Sequence, residues 1–507
     1  MVLPDSLPLV PAPVSALPGE GLLPLASDVA VTGDPAAAAL LIDLVAARTG
    51  IRLPASGDEH GGVVLGIDPR TGPAEGYRLA VADAIEVVGS DAAGLAHGIR
   101  TLLQLLTTDD AGRWAWRRAT VADAPRFAYR GVMLDVARRF FPVDEVKLVI
   151  DRAAALKFNH LHLHLSDDQG WRIHIDAWPL LSQRASTASA MSPARSGSTQ
   201  GGCYSKDDYR EIVAHAASRH VTIVPEIDMP GHTHAIGVAY PELVEAPVMN
   251  DALLADAERL GQALPRAGEP YTGWGVGHSS LRIHQTRTYE FVRDVLTELA
   301  ELTPGPYLHI GGDESLGTSA EDFSTFIQRA TAIVTDLGKT PIAWHEAGAA
   351  EVAPGTVGQY WGALEPTVTH AAHAAQFVRR GGSLILSPSD AAYLDMKYDS
   401  GFPLGLDWAG TVGLRRAYEW EPAELLEVAP DAIAGVEAAL WTESVGSLAD
   451  AEQLMYPRIA AAAEIAWSTR DTRSWDGFRE RLGALAPAWR ADGIRFHPVA
   501  EIDWTDR

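Results

Sequence analysis

The chain has 507 residues, a formal net charge of −25 at pH 7 and 47% hydrophobic residues. Its acidic balance argues against nucleic acid and anionic membranes as partners, because both require a basic surface. The single cysteine, Cys203, excludes an intrachain disulfide framework and a zinc site built from cysteines. No apolar run in the sequence reaches the roughly 18 residues of a membrane-spanning helix.

The N-terminal segment is interrupted by prolines and has no Lys or Arg before Arg48. A secretory signal peptide needs a basic start followed by an apolar run. We therefore expect a cytoplasmic protein, or a secreted one if a leader was removed.

Residues 1–125 are predicted to form a small α/β domain. Short strand-like runs bounded by Gly, Asp and Pro lie at 28–33, 62–67, 76–90 and 113–123. Two helical patterns lie between them, at 35–50 and 91–108. The stretch "DAPRF" at 123–127 is a natural boundary.

Residues 126–507 are predicted to form a (β/α)8 TIM barrel, because strands alternate with helices and this rhythm indicates a parallel sheet. The eight strands are expected at 130–137, 160–166, 221–230, 307–314, 340–346, 356–362, 383–389 and 434–443. The clearest helices are expected at 142–157, 205–220, 288–302 and 450–467, with one more packed outside at 474–491. Ser205 and Asp208 have capping-box spacing, and the segment 347–355 is too short for a full helix.

In such a barrel the chemistry lies at the C-terminal ends of the strands. Charged and aromatic residues, mostly acids and tryptophans, stand at or just after nearly all of these ends: Asp135, Arg138, Asp167, Asp168, Glu226, Asp228, His232, Asp313, Glu314, Trp344, Glu346, Trp361, Tyr393, Asp395, Trp441 and Glu443. Aromatic rings stack on pyranose faces and carboxylates accept hydrogen bonds from hydroxyls, so the pattern indicates a sugar pocket.

The stretch "HIGGDES" places Asp313 and Glu314 side by side at the end of strand four. Strand alternation would point them in opposite directions, but the chain turns at the end of a strand, so both can enter one cavity. Gly311 and Gly312 leave room for close approach. Two carboxylates in a partly dry site do not both ionise easily, so one keeps its proton and can serve as a general acid. The alternative is a helix N-cap beside a surface Glu.

Five motifs in this order resemble glycoside hydrolase family 20, the β-N-acetylhexosaminidases: "LHLHLSDDQGWR", "VPEIDMPGH", "HIGGDES", "GQYWG" and "ALWTE". The resemblance covers residues from about 10 to 495 and implies a small α/β domain before the barrel. It also implies a retaining mechanism in which the acetamido oxygen of the substrate attacks the anomeric carbon and forms an oxazolinium intermediate. That mechanism differs from the common two-carboxylate scheme.

The resemblance assigns roles to the acids. Glu314 would protonate the glycosidic oxygen and later activate water, while Asp313 would hold the acetamido N–H. Tyr393 would donate a hydrogen bond to the acetamido oxygen. Asp167 and His232 would form a polar relay behind Glu314.

The resemblance assigns the remaining residues to sugar binding. Trp344, Trp361 and Trp441 would wall the pocket around the N-acetyl methyl, and Trp408 would stack on the next sugar. The hydroxyls at C3, C4 and C6 would be held by Arg138, Asp395 and Glu443.

Alternatives remain open for several of these residues. Arg139 is adjacent to Arg138, and either could enter the site. Asp167 and Asp168 could exchange roles, with one of them capping the loop after strand two. The tryptophans could belong to the barrel core, where Trp is often buried.

The histidines of "NHLHLHLS" provide a competing hypothesis. His160, His162 and His164 share one strand face, and an HxH pair at a strand end is also a metal signature of amidohydrolase barrels. A divalent site would need further ligands from strands five, six and eight, where Trp344 and Trp361 stand instead. We therefore expect hydrogen-bonded histidines inside the barrel, with no metal and no cofactor.

The sequence as a whole predicts an exo-acting β-N-acetylhexosaminidase that removes terminal non-reducing GlcNAc, and GalNAc, from oligosaccharides or glycoconjugates. A lacto-N-biosidase of the same family and a non-catalytic N-acetylhexosamine-binding barrel are the alternatives. Two long excursions, 191–203 and 249–274, should border the pocket mouth and bear on the leaving group.

Overall fold

The computed structural model describes residues 7–56, 62–187 and 201–504. Its contacts divide the chain into two compact units. The first comprises Met1–Ala128, Ala154–Lys157 and Ile459–Arg507, and the second comprises Tyr129–Ala153 and Phe158–Arg458. Within the described ranges, no helix has the length and apolar character needed to cross a membrane.

The first unit contains a mixed sheet with helices. Its strands are β1 (Ser15–Pro24), β2 (Val31–Gly33), β3 (Val63–Ile67), β4 (Tyr77–Val81), β5 (Ile85–Gly89), β6 (Leu106–Thr108) and β7 (Trp114–Asp123). The strand order is β1-β7-β4-β5-β3-β2, and β6 pairs with β7. The helices between these strands are α1 (Pro35–Thr49) and α2 (Ala92–Gln104).

Local sequence accounts for the first helix. Asp34 caps it by accepting the backbone N–H of Ala37, Pro35 stands in its first turn, and Gly50 ends it with a left-handed backbone. These are the residue types that each position favours.

A buried ion pair lies in the same unit. Lys157 Nζ is 2.9 Å from Asp123 Oδ2, and both side chains are almost fully buried. Tyr77 and Trp467 donate hydrogen bonds to the same carboxylate, at 2.8 and 3.0 Å. Shared donors of this kind satisfy a charge that would otherwise be costly to bury.

Eight parallel strands of the second unit close into a barrel, which confirms the predicted TIM barrel. They are β8 (Tyr129–Asp135), β9 (His160–His164), β12 (Thr222–Glu226), β13 (Tyr307–His309), β14 (Thr340–Trp344), β15 (Val357–Tyr360), β16 (Leu384–Leu386) and β17 (Ile433–Leu440). A short hairpin, β10 (Ser166–Asp167) and β11 (Gly170–Trp171), follows the second barrel strand.

Helices and loops connect the barrel strands. The helices from β8 onward are α3 (Val143–Ala155), α4 (Leu180–Arg184), α5 (Lys206–Ser218), α6 (His234–Ala239), α7 (Asp251–Leu260), α8 (Thr286–Leu302), α9 (Ala320–Asp336), α10 (Val368–Arg379), α11 (Leu414–Tyr418), α12 (Pro422–Leu425), α13 (Leu448–Met455), α14 (Arg458–Trp467) and α15 (Trp475–Ala491). The capping box of Ser205 and Asp208 is present, and the segment after β14 forms only a 3-10 turn, His345–Ala349.

The structure differs from the predicted elements in several places; for example, the helix predicted at 91–108 ends at Gln104, and Leu106–Thr108 is a strand. The helix expected at 450–467 is divided into α13 and α14 at Pro457, because proline cannot continue the helical hydrogen bonds. The fourth barrel strand ends at His309, several residues before the expected end. The proline-containing segment Ser15–Pro24 forms a strand that the sequence analysis missed, and it pairs with β7 across a register shift between Pro18 and Leu22.

Candidate active site

A cavity of about 580 Å³ has the ends of the barrel strands in its wall, and this volume suits a small-molecule site. The structure brings most of the predicted site residues together on its lining: Arg138, His232, Asp313, Glu314, Trp361, Tyr393, Asp395, Trp408, Trp441 and Glu443. The other two predicted residues, Asp167 and Trp344, are fully buried and do not line the cavity.

The turn after β13 directs Asp313 and Glu314 into the cavity. Gly311 and Gly312 have φ values of 70° and 99°, a region that glycine adopts without strain. A Cβ at Gly311 would lie 1.7 Å from the Oδ1 atom of Asp228, so only glycine fits there. Because the strand has already ended, the alternation that would separate the two carboxylates does not apply.

Two residues of this site are held in a left-handed backbone that side chains rarely adopt. Glu314 has φ 41° and His232 has φ 52°. Such conformations cost of order 1–3 kcal/mol each and persist where the surrounding structure fixes them. These two strained residues are the ones that the sequence analysis assigned as the general acid and as part of the relay behind it.

Burial governs the protonation of the acids. Burial, reinforced by the neighbouring carboxylates of Glu314 and Glu226 and opposed by His232, raises the pKa of Asp313 to about 6. Burial and then the charge of Asp313 raise the pKa of Asp228 well above its ordinary value. Of the adjacent pair, Asp313 is thus the carboxyl with a raised pKa, and Asp228 beside it also has a raised pKa.

His232 connects Asp167 to the acid pair. Its Nδ1 lies 3.0 Å from Asp167 Oδ1, and its Nε2 lies 3.6 Å from Glu314 Oε2 and 3.7 Å from Asp313 Oδ2. Burial alone would lower the pKa of His232, but the carboxylates of Asp167, Asp228 and Asp313 outweigh burial and raise it. A cationic imidazole thus stands behind both acids.

Asp167 and Asp168 have distinct surroundings, which separates the two candidates. Asp167 accepts hydrogen bonds from His164, at 2.7 Å, and His232, and pairs with Arg138 at 2.8 Å. Asp168 accepts the backbone N–H of His234 at 2.9 Å and the Ser279 hydroxyl at 2.6 Å, so it fixes a loop.

Arg138 and Arg139 also differ in their surroundings, and only one of them can enter the site. The Arg138 side chain is 3% exposed, and its guanidinium lies 5.0 Å from the ring centre of Trp441. One of its terminal nitrogens, Nη1, is buried without a hydrogen-bond partner. Arg139 instead pairs with Glu145 at 3.3 Å. Arg138 is therefore the one that can donate to a ligand.

The aromatic residues divide between the cavity wall and the layer beneath it. Trp361, Trp408, Trp441 and Tyr393 line the cavity, and Trp408 lies edge-on to both Trp361 and Tyr393, with ring centres 5.9 Å apart in each pair. The expectation that Trp344 walls the pocket around the N-acetyl methyl stays a prediction. Its ring is fully buried, 6.0 Å from that of Trp441.

Trp344 belongs to a hydrogen-bond network inside the barrel. Its indole N–H donates to Glu226 Oε1 at 2.9 Å. The other oxygen of Glu226 accepts from His162 at 3.0 Å and also from His164. Since His164 also reaches Asp167, the network runs from the barrel core to the relay behind the acids. This confirms that the two histidines are hydrogen-bonded inside the barrel.

Hydrogen bonds already occupy both ring nitrogens of His162 in this network. His162 faces Glu437 through Nδ1 at 2.9 Å and Glu226 through Nε2 at 3.0 Å, so both ring nitrogens serve as hydrogen donors. Carboxylates on both sides raise the pKa of His162 to about 9 despite burial. A protonated ring has no lone pair for a ligand bond.

Within the described part of the chain, several buried polar atoms of the cavity have no hydrogen-bond partner. Both carboxylate oxygens of Asp395, Glu443 Oε2, Asp313 Oδ1 and His232 Nε2 share this property with Arg138 Nη1. Buried polar groups are normally hydrogen-bonded, and each exception requires an explanation. Acceptors and donors arranged around aromatic walls match a ligand that carries several hydroxyls and an amide.

The sequence analysis missed further cavity residues. They are Asp256, Arg259, Leu260, Trp274, Val276, Lys397, Pro403, Gly405, Leu406, Asp407 and Ser444. The excursion 249–274, which the sequence analysis expected at the pocket mouth, supplies Asp256, Arg259, Leu260 and Trp274, and the loop after β16 supplies most of the others. The segment 191–200 of the other excursion lies outside the described residues.

Comparison with known proteins decides the family. The model of the catalytic domain of glycosyl hydrolase family 20 matches residues 127–321 and 315–470. The model of domain 2 of that family matches residues 6–124. The chain belongs to glycosyl hydrolase family 20. It is a glycoside hydrolase, as the five motifs predicted.

Individual relatives agree with this assignment. A beta-N-acetylhexosaminidase of Cellulomonas fimi is 40% identical over 435 residues, which cover 85% of this chain and 82% of the relative. A solved family 20 beta-N-acetylglucosaminidase is 51% identical with a TM-score of 0.89, covering 98% of this chain and 99% of the other. A mutant Streptomyces plicatus beta-hexosaminidase solved in complex with its product GlcNAc is 43% identical, with a TM-score of 0.89 and coverage of 100% and 99%.

Proposed function

We propose that the barrel hydrolyses the bond to a terminal, non-reducing β-linked N-acetylhexosamine, either GlcNAc or GalNAc. The observation that carries the proposal is the set of buried polar atoms without partners around an aromatic-walled cavity. Hydroxyl hydrogens of a pyranose would satisfy Asp395 and Glu443, and Arg138 would donate to a hydroxyl oxygen. The similarity to family 20 enzymes supports the same substrate class.

The two adjacent acids divide the chemistry. Glu314, whose side chain is 35% exposed, protonates the departing oxygen, and the same group then takes a proton from water. Asp313 is buried and accepts the acetamido N–H, so it aligns the acetamido oxygen with the anomeric carbon. As the oxazolinium ring forms, positive charge develops at the ring nitrogen, and an ionised Asp313 stabilises that charge.

The surrounding residues position these two groups. Tyr393 lines the cavity with burial raising the pKa of its hydroxyl, so it stays a hydrogen-bond donor toward the acetamido oxygen. The cationic His232 balances the acid pair, and Asp167 holds the ring through its Nδ1. These atoms are in place before substrate binds, which reduces the reorganisation needed in the transition state.

Turnover of a small substrate panel tests the proposal. Aryl N-acetyl-β-glucosaminide and aryl N-acetyl-β-galactosaminide should both be cleaved, with the β anomer released first in a proton NMR time course. Aryl β-glucoside and aryl lacto-N-bioside should not be cleaved. Failure on both N-acetyl substrates would support a non-catalytic sugar-binding barrel, and release of the disaccharide would support a biosidase.

A further inference from the structure

The excursion after β12 forms one side of the cavity. Helix α7 contributes Asp256, Arg259 and Leu260 to the lining, and the returning chain contributes Trp274 and Val276. The family roles described above use none of these residues. Their position in the cavity therefore needs its own explanation.

The residues that line the cavity differ widely in exposure. Asp395 is 1% exposed, the Glu314 side chain is 35% exposed, and the Arg259 side chain is 63% exposed. Trp408 is also open, at 54%. Since the general acid stands between the bound sugar and the group that departs, the open part of the cavity receives the leaving group.

Hydrogen bonds fix the returning chain in place. The Gln169 side chain donates to the backbone oxygen of Gly273 at 2.7 Å, and Gln169 also accepts from Arg138 Nε at 3.0 Å. The backbone N–H of Trp274 donates to Gln262 Oε1 at 2.8 Å. Trp274 is thus positioned from both sides, and one of these connections leads to a residue of the sugar pocket.

Helix α7 is anchored as well. Asn250 caps it by accepting the backbone N–H of Leu253 at 2.8 Å, and Gly261 ends it with a left-handed backbone. Leu253 is 1% exposed and ties the helix to the molecule. A capped helix with a buried apolar anchor provides a fixed wall.

The charges at the open part of the cavity cancel. Arg259 pairs with Asp256 at 2.9 Å, and Lys397 lies 3.9 Å from Asp407. The deeper lining holds four carboxyl groups, those of Asp313, Glu314, Asp395 and Glu443, against two basic side chains, Arg138 and His232. Burial raises the pKa of both Asp395 and Glu443, so these two groups add little negative charge. Because Arg259 and Lys397 already face acids, a charged leaving group gains no free counter-charge from them.

We propose that Trp274 is a specificity-determining residue that contacts the leaving group, and that the preferred leaving group is a neutral saccharide. Trp274 and Trp408 place aromatic residues on two separate segments of the cavity lining, and an aromatic face suits contact with a pyranose ring. This inference rests on the proposed function, since it names the leaving group of the same reaction.

The test compares two substrates that share the transferred GlcNAc. Chitobiose has a sugar as leaving group, whereas N-acetyl-β-glucosaminyl azide has a group too small to reach the wall. Trp274→Ala should lower kcat/KM about tenfold on chitobiose, as expected for loss of an aromatic contact, and less than about twofold on the azide. Trp274→Phe should recover most of the loss on chitobiose.

Two controls make the comparison specific. Leu254 lies on α7, is 41% exposed and does not line the cavity, so Leu254→Ala should leave both substrates unchanged. Gln262→Ala removes only the bond to the Trp274 backbone and should lower chitobiose turnover by less than Trp274→Ala does. Wild-type enzyme should prefer GlcNAc β-linked to glucose over GlcNAc β-linked in the same way to glucuronate.

Three results would overturn the inference. Trp274→Ala could slow both substrates equally, which would make Trp274 a structural residue. It could leave chitobiose unaffected, or wild-type enzyme could prefer the glucuronate. Cleavage of neither chitobiose nor the azide by wild-type enzyme would instead refute the proposed function itself.

Discussion

Asp313 should set the lower pH limit of catalysis. The carboxyl has to be ionised to stabilise the positive charge of the oxazolinium ring, and its pKa is raised to about 6, mainly by burial. A raised pKa means that the proton returns as the pH falls through 6, and the neutral acid cannot stabilise a cation. The activity of the free enzyme should therefore fall on the acidic side.

The size of the effect follows from the pKa. With a pKa of about 6, Asp313 is about 90% ionised at pH 7 and about 10% ionised at pH 5. The kcat/KM for an aryl N-acetyl-β-glucosaminide should thus fall about tenfold between these pH values. This parameter is the appropriate one, because it reports the ionisations of the free enzyme.

Two variants identify the group responsible. Asp313→Asn should reduce kcat/KM by roughly 10²-fold, comparable to the loss of one preorganised electrostatic partner, and should abolish the acidic limb. Asp228→Ala removes a side-chain hydrogen bond that lowers the pKa of Asp313, so it should keep the limb and move it to higher pH. His232 also faces Asp313, and its raised pKa keeps it cationic on the acidic side.

The measurement is kcat/KM from pH 4 to pH 8 at constant ionic strength, for wild-type enzyme and both variants. An acidic limb that persists unchanged in Asp313→Asn would refute the reasoning. A wild-type profile that is flat between pH 5 and pH 7 would refute it as well.

Three further outcomes are expected. Glu314→Gln should slow chitobiose hydrolysis by roughly 10²–10⁴-fold. It should affect aryl glycosides less, because good leaving groups need little protonation. If the variant cleaves chitobiose at the wild-type rate, another residue is the acid. Exhaustive chelation should leave the rate of hydrolysis unchanged, because the nitrogens of His162 and the oxygens of Glu226 already hydrogen-bond to each other and to their neighbours. Loss of activity that zinc restores would instead support the metal hypothesis. A carboxyl with a raised pKa stabilises the fold only at low pH, and this contribution is lost as the pH rises through 6. Asp313→Asn should therefore have a higher Tm than wild-type enzyme at pH 7 but not at pH 4. An equal or lower Tm of the variant at pH 7 would contradict the assigned pKa.

Local sequence chemistry predicted much of the barrel. Strand composition and the spacing of helices located the eight strands, and the Ser205–Asp208 capping box is present as expected. The same chemistry explains one error, since Pro457 divides a helix whose apolar pattern continues across it. The strand Ser15–Pro24 has no comparable local signal, because its prolines and glycines are turn formers and its pairing with β7 is a long-range contact.

Site residues that belong to a short motif could be predicted from the sequence, whereas those whose orientation depends on tertiary packing could not. Asp313 and Glu314 were read from one short stretch, and the structure places both on one cavity. Trp344 and Trp361 stand at neighbouring strand ends, yet only Trp361 lines the cavity. Which tryptophan faces a ligand depends on the packing beneath it, and Glu226, which fixes the Trp344 ring, lies more than a hundred residues away. The roles of these residues in binding stay predictions.

The central claim is that the nucleophile belongs to the substrate. If the acetamido oxygen attacks the anomeric carbon, withdrawing electrons from the acetamido group must slow the reaction in proportion. Aryl glycosides that carry N-acetyl, N-fluoroacetyl, N-difluoroacetyl and N-trifluoroacetyl groups provide this series with one leaving group throughout.

The measurement is kcat along that series, with mass spectrometry of the intact protein during turnover. The account predicts a stepwise fall in kcat with each fluorine and no mass corresponding to a sugar covalently bound to the enzyme. A flat series, or a trapped glycosyl ester on Asp313, would contradict it and would place the nucleophile on the protein.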